Sequence, residues 1–99
     1  MPYLQYMEFE YDPNKSAANA AKHGIDFEEA QSLWDDENAV IVTARSDTEE
    51  RHAVIGRIGE VFWTAFITYR GENARIISVR RSRTQEAEIY GKERNRRRT

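Results

Sequence analysis

The sequence predicts a single α+β domain, and three observations carry that prediction. The first third has helical punctuation and spacing. The residues after Asp36 switch to strand-like runs rich in Val, Ile, Thr and aromatics, and the gaps between those runs are hairpin-sized. With 99 residues, 39% apolar and 32% charged, the chain can build one modest core and not two, so residues 1–99 are read as one domain.

A short strand is expected at Glu8–Tyr11. Asp12 then offers an N-cap, Pro13 sits in a first turn where its missing N–H is harmless, and the Ala-rich run ends at Gly24, which predicts a helix over about 13–23. Asp26 with Glu29 has capping-box spacing and opens a second helix, with Phe27, Ala30, Leu33 and Trp34 on its core face. Strands are expected at Ala39–Thr43, Arg51–Ile58, Val61–Arg70 and Ala74–Arg80. Gly59-Glu60 suits a two-residue hairpin and Gly71-Glu72-Asn73 a longer one, so these strands form an antiparallel meander.

In the third run, Val61, Trp63, Ala65, Ile67 and Tyr69 should meet the two N-terminal helices. Phe62, Thr64, Phe66, Thr68 and Arg70 form an amphipathic face suited to binding. A short C-terminal helix should start near Ser82 or Thr84, with Ser82 and Gln85 at capping-box spacing and Gly91 as an early break. Residues 91–99 read as a basic tail, and Met7 as a second candidate start that makes residues 1–6 a leader.

Net charge of −2 hides an asymmetry: residues 1–50 carry 12 acidic and 3 basic side chains, residues 51–99 carry 5 and 12. Such a split hints at a polyanionic partner, although two mutually neutralising solvated faces give the same count. The absence of Cys rules out disulfide and thiolate chemistry and suits a reducing cytoplasm, the expected location. Two His 29 positions apart make no metal-ligand set, and no Gly-rich phosphate loop or Ser-His-Asp arrangement is present, so no metal or other cofactor is expected. No apolar run approaches the roughly 20 residues of a membrane span, and no membrane contact is expected.

The segment FEYDPNKSAANAAKHGIDFEEAQSLWDD, with Asp12, Lys15, Asn19, Lys22, His23, Gly24, Phe27, Glu28 and Ala30, resembles the opening of the BrnT toxins of bacterial type II toxin–antitoxin pairs. ERHAVIGRIG and ARIISVRRSRTQEAEIY are similar to that family's later blocks, in family order, over about residues 9–90. Residues 1–6 and the strongly basic end from Gly91 depart from the family pattern. The resemblance implies a RelE-like microbial ribonuclease fold and metal-independent RNA cleavage that inhibits translation. It also implies a BrnA-type ribbon–helix–helix antitoxin, a 2:2 heterotetramer, and operator DNA contacted only through the antitoxin.

Metal-free RNA cleavage drives a 2′-OH against the neighbouring phosphate. It needs in-line positioning, cations on the crowded phosphate and proton transfer at both ends. Arg80 and Arg81 are the leading candidates, because a guanidinium is planar, bidentate and permanently charged. As neighbours on a strand they leave on opposite faces, and taken alone the pair reads as one structural salt bridge and one solvated Arg; the family match favours catalysis. Lys22 and His23, at a helix C-terminus, and Glu28 complete the catalytic candidates. A plain helix-end cap for His23 and a stabilising first-turn acid for Glu28 remain open. Lys15 and Asn19 on the helix's polar stripe, with Arg57 and Arg70 on strands, are the RNA-binding candidates. Two other readings stay open: a catalytically silent antitoxin-binding module and a nucleic-acid-binding regulator without a partner.

Overall fold

The computed structural model describes residues 8–44 and 50–98. The leader expected at residues 1–6 lies outside the described residues. The elements are β1 (Phe9–Glu10), α1 (Pro13–His23), a 3-10 helix (Glu29–Asp35), β2 (Val40–Ala44), β3 (Arg51–Ile58), β4 (Val61–Arg70), β5 (Asn73–Arg81) and α2 (Thr84–Arg98). They form an α+β arrangement around one five-stranded sheet in the order β1-β5-β4-β3-β2.

β2 to β5 make the expected antiparallel meander, but β1 pairs in parallel with β5, Phe9 opposite Ala74 and Glu10 opposite Arg75. The sheet is therefore mixed. Hairpin length dictates orientation only for strands that follow one another, and β1 meets its partner across most of the chain. Both hairpins are two-residue turns. Ile58 pairs with Val61 around Gly59, whose φ of 62° suits a tight hairpin, and Arg70 pairs with Asn73, one residue tighter than expected.

The α1 caps form as the sequence indicates. The Asn14 N–H donates to Asp12 Oδ1 at 2.8 Å, and left-handed Gly24 donates to the Ala20 carbonyl at 2.9 Å. The residues that α1 buries, however, are polar: Ser16 and Asn19. The Phe27 N–H donates to Ser16 Oγ at 2.9 Å. Asn19 Nδ2 donates to the carbonyls of Ile25 (2.8 Å) and Val79 (2.9 Å), while its Oδ1 accepts the Val79 N–H at 3.1 Å. β1 covers only Ala74 and Arg75, so the Asn19 amide stands in for the missing strand residue beside Val79.

The Asp26–Glu29 capping box also forms, with reciprocal bonds of 3.1 and 2.7 Å, but the helix it opens is 3-10 and not α. Phe27, Ala30 and Leu33 recur every third residue, a spacing that a three-residue turn stacks on one side, and they are 1%, 0% and 0% exposed. With Ile25 they pack on Val54, Trp63, Ala65, Ile67, Ala74, Ile76 and Val79 to close the sheet's inner face.

The outer face is not the open binding face anticipated. Thr64 and Thr68 on it are buried, and α2 packs over β2 and β3, with Tyr90 against Val40, Ile55 and Phe62. α2 is also longer than expected, running through Gly91 to Arg98. Its capping-box bond is donated by the Arg83 N–H to the Glu86 carboxylate at 2.7 Å, and does not pair Ser82 with Gln85.

Candidate functional site

The arginines at the end of β5 owe their directions to a β-bulge. Phe66 pairs with Ser78 but Ile67 pairs with Ile76, which leaves Ile77 as an extra residue on β5. Strict alternation from Ala74 and Ile76 would turn Ser78 and Arg80 inward. The bulge instead sends Val79 into the core, Arg80 to the outer face opposite Thr64, and Arg81 to the inner side opposite Trp63.

Arg80 is fixed under α2. Its two terminal nitrogens donate to the two oxygens of Glu86 at 2.8 and 2.9 Å, and its guanidinium lies 5.1 Å from the Phe66 ring centroid. Glu86 also accepts the Arg83 N–H and the Thr64 hydroxyl, and Thr64 shares a 2.8 Å bond with Ser82. The bond to Glu86 raises the Arg80 pKa against the opposing effect of burial. Burial pushes the Glu86 carboxyl up, but the bonds from Arg80, Arg83 and Thr64 outweigh it and hold it below its ordinary value.

Arg81 differs. It is exposed, lies 5.8 Å from the Trp63 ring centroid, and meets no carboxylate among the described residues. It borders a cleft of about 400 Å³ between the β3–β4 hairpin and the start of α2. Glu60 and Phe62 form one wall, and Ser82, Arg83 and Thr84 the other. Two guanidinium groups, two hydroxyls and a helix N-terminus there favour a bound anion, while Glu60 offers a carboxylate at the rim.

The other candidates are dispersed. Lys15 and Lys22 are exposed on α1, but Asn19 does not share their polar stripe; it is 7% exposed and its amide is engaged by backbone groups. His23 is half-buried at the last position of α1, and Glu28 is exposed before the 3-10 helix. α1 advances in the direction of β5, from β1 beside Arg75 to Asn19 beside Val79, so its last turn continues toward the Arg81 end. No bond joins Lys22 or His23 to either arginine among the described residues. Arg57 lies on the outer face, 5.9 Å from the Phe62 ring centroid, with Nε donating to the Gly59 carbonyl at 3.2 Å. Arg70 stands at the opposite end of β4, seven residues from the position facing Arg81, or about 23 Å along an extended strand.

The sequence reading missed the partnership of Glu86 with Arg80, although the spacing from Arg-Arg to that Glu is part of the block resembling the family. It also missed Glu60, Arg83 and Thr84, which sit in turns and helix starts and are gathered only by folding. Among the described residues no three His, Cys, Asp or Glu cluster as a metal site. None of the helices there is long and apolar enough to cross a membrane.

The family model for the ribonuclease toxin BrnT of type II toxin–antitoxin systems matches residues 11–86, which include α1, the whole meander and Glu86. No curated protein matches the chain.

Proposed function

This chain belongs to the BrnT family of ribonuclease toxins of type II toxin–antitoxin systems, and from that premise we propose that it cleaves RNA at the Arg81 cleft without a metal. The carrying observation is an exposed guanidinium without a carboxylate partner at the mouth of a cleft that also holds Arg83, Ser82 and Thr84. In the proposed step a substrate 2′-OH attacks the adjacent phosphorus and the bond to the 5′ oxygen breaks. A 2′,3′-cyclic phosphate and a 5′-OH result, with one proton removed from the nucleophile and one given to the leaving oxygen.

Arg81 and Arg83 bind the phosphate and stabilise its extra charge, and Arg80, through Glu86, fixes the start of α2 and so the place of Arg83 beside them. Lys22 and Lys15 hold adjoining phosphates along α1, with Arg57 and Arg70 as more distant RNA contacts, and His23 and Glu28 are the proposed proton carriers. Asn19 acts here as scaffold, because its polar atoms already bind backbone groups.

Cleavage in the cytoplasm would inhibit translation, and a type II family implies an antitoxin partner. The proposed partner is a BrnA-type ribbon–helix–helix protein in a 2:2 complex that masks the basic cleft and contacts operator DNA itself, within a RelE-like scheme. The rival reading, a catalytically silent antitoxin-binding module, draws on one observation: Arg80 is already bidentate with Glu86. Incubating antitoxin-free, folded protein with RNA in EDTA separates the two. Cyclic phosphate ends are expected; intact RNA would establish the silent module.

A further inference from the structure

α2 carries Thr84, Ala87, Tyr90 and Arg94 at spacings of three, three and four, which places them along one helix face. The first two line the Arg81 cleft, and the last two line a second cleft of about 420 Å³. The hairpin repeats the pattern from the other side, with Arg57, Ile58 and Gly59 on the second cleft and Glu60, Val61 and Phe62 on the first. The clefts are therefore neighbours along α2, parted by the contact of Phe62 on Tyr90, whose ring centroids are 5.2 Å apart. The ten helical rises from Thr84 to Arg94 spread the two clefts over about 15 Å.

The second cleft has its own chemistry. Arg57 is held by its bond to the Gly59 carbonyl and its stacking on Phe62, and Arg94 reaches in from α2. Among the described residues neither guanidinium is ion-paired, although Asp35 and Asp36 border the same space. Asp36 is already engaged: its Oδ2 accepts the Tyr90 hydroxyl and the Arg57 N–H, both at 2.9 Å, and its Oδ1 accepts the Asn38 N–H. Burial raises the Tyr90 pKa and the bond to Asp36 raises it further, while Arg57 and Arg94 pull it down, so both cations act on this one point. Arg94 lies beyond the segment that the family model matches.

We propose that this second cleft is a subsite for a flanking nucleotide of the RNA, with the phosphate between Arg57 and Arg94 and the base edge against Asn38 and Asp35. The proposal rests on the ribonuclease reading of the first cleft. Arg57 and Arg94 lie one helix turn beyond a cleft that already gathers Arg81 and Arg83, which favours a strand carrying regularly spaced phosphates, and Asp35 can accept from a base N–H.

The test uses a 2′-O-methyl hexanucleotide, which lacks the attacking hydroxyl, titrated against the full chain by fluorescence anisotropy over a salt series. Arg57→Gln combined with Arg94→Gln should weaken binding about tenfold and flatten the slope of log affinity against log salt by about 0.7 per lost phosphate contact. The loss should shrink for a dinucleotide, which spans only the Arg81 cleft. Arg94→Gln alone, which leaves the Phe62 stacking intact, should give part of the loss and guards against misfolding of the double variant. Unchanged hexanucleotide affinity and salt slope in the double variant overturn the subsite and leave the ribonuclease reading standing. Failure of the unaltered chain to bind the hexanucleotide overturns both. Lost binding to an acidic antitoxin peptide, with RNA affinity retained, overturns the subsite in favour of a protein dock.

Discussion

The two faces of the sheet are closed by different physics. On the inner face, Phe27, Leu33, Val54, Ala65, Ile67, Ile76 and Val79 are all 2% exposed or less, and their contribution scales with the apolar area removed from water. On the outer face Val40, Ile55 and Tyr90 form a small apolar cluster with Val42 and Phe62 packed against it, and α2 is further held by Arg80–Glu86, Thr64–Ser82 and Tyr90–Asp36. Area is tolerant of small displacements, whereas hydrogen bonds fix angle and distance. The inner face therefore supplies stability, and the outer latch sets where α2 lies beside the hairpin and so shapes the groove that bears the cations.

The most severe way to break this division is Phe27→Ala. Removing a ring that is 1% exposed should cost about 3–5 kcal/mol and lower Tm sharply, while cleavage per folded molecule is retained. A denaturant melt paired with activity normalised to the folded fraction checks it. Activity lost in step with the ring, at full foldedness, would mean the inner face has a direct catalytic part.

Arg81→Ala tests the converse. Loss of one charge-assisted contact to the transition-state phosphate should remove about 2–4 kcal/mol, a rate loss of tenfold or more, with Tm nearly unchanged because the side chain is exposed. Arg80→Ala should lower the rate by at least tenfold as well, but it should also lower Tm, since Glu86 would remain half-buried without its partner. Full activity in Arg81→Ala would remove that residue from the site.

The smallest effect isolates the latch. Glu86→Gln keeps the shape but removes the charge and should cost about 2 kcal/mol. In the native chain the Glu86 carboxyl is held below its ordinary value, so its stabilisation is complete above that ordinary value and is lost as pH falls through the lowered folded one. A series of melts across this acid range should show a Tm decline that the Gln variant lacks. Parallel declines in both proteins would place the acid sensitivity elsewhere.

Much of this was legible in the sequence. Asp12, Pro13 and Gly24 set the limits of α1, Gly59 marked a hairpin, and the alternation from Val61 to Ile67 identified the inner face, because each signal concerns residues close in the chain. The charge split pointed to a basic second half, and the Arg-Arg pair marked the end of β5. The same signals misjudged Asn19, whose place on a polar stripe looked like solvent exposure; only the short β1 makes its amide the substitute for a strand. The three-residue spacing of Phe27, Ala30 and Leu33 was visible, but packing against β3 selected a 3-10 turn from it.

Local chemistry in the sequence thus determined the caps, the periods, the meander and the residue types available for binding phosphate. The tertiary structure decided their directions. One extra residue at Ile77 reverses which arginine turns outward, and α2, returning across the outer face, clamps Arg80 with Glu86 while leaving Arg81 in the groove. Neither outcome is written in any short window of residues, because a bulge arises where two strands must satisfy one core, and a groove exists only between elements distant in the chain.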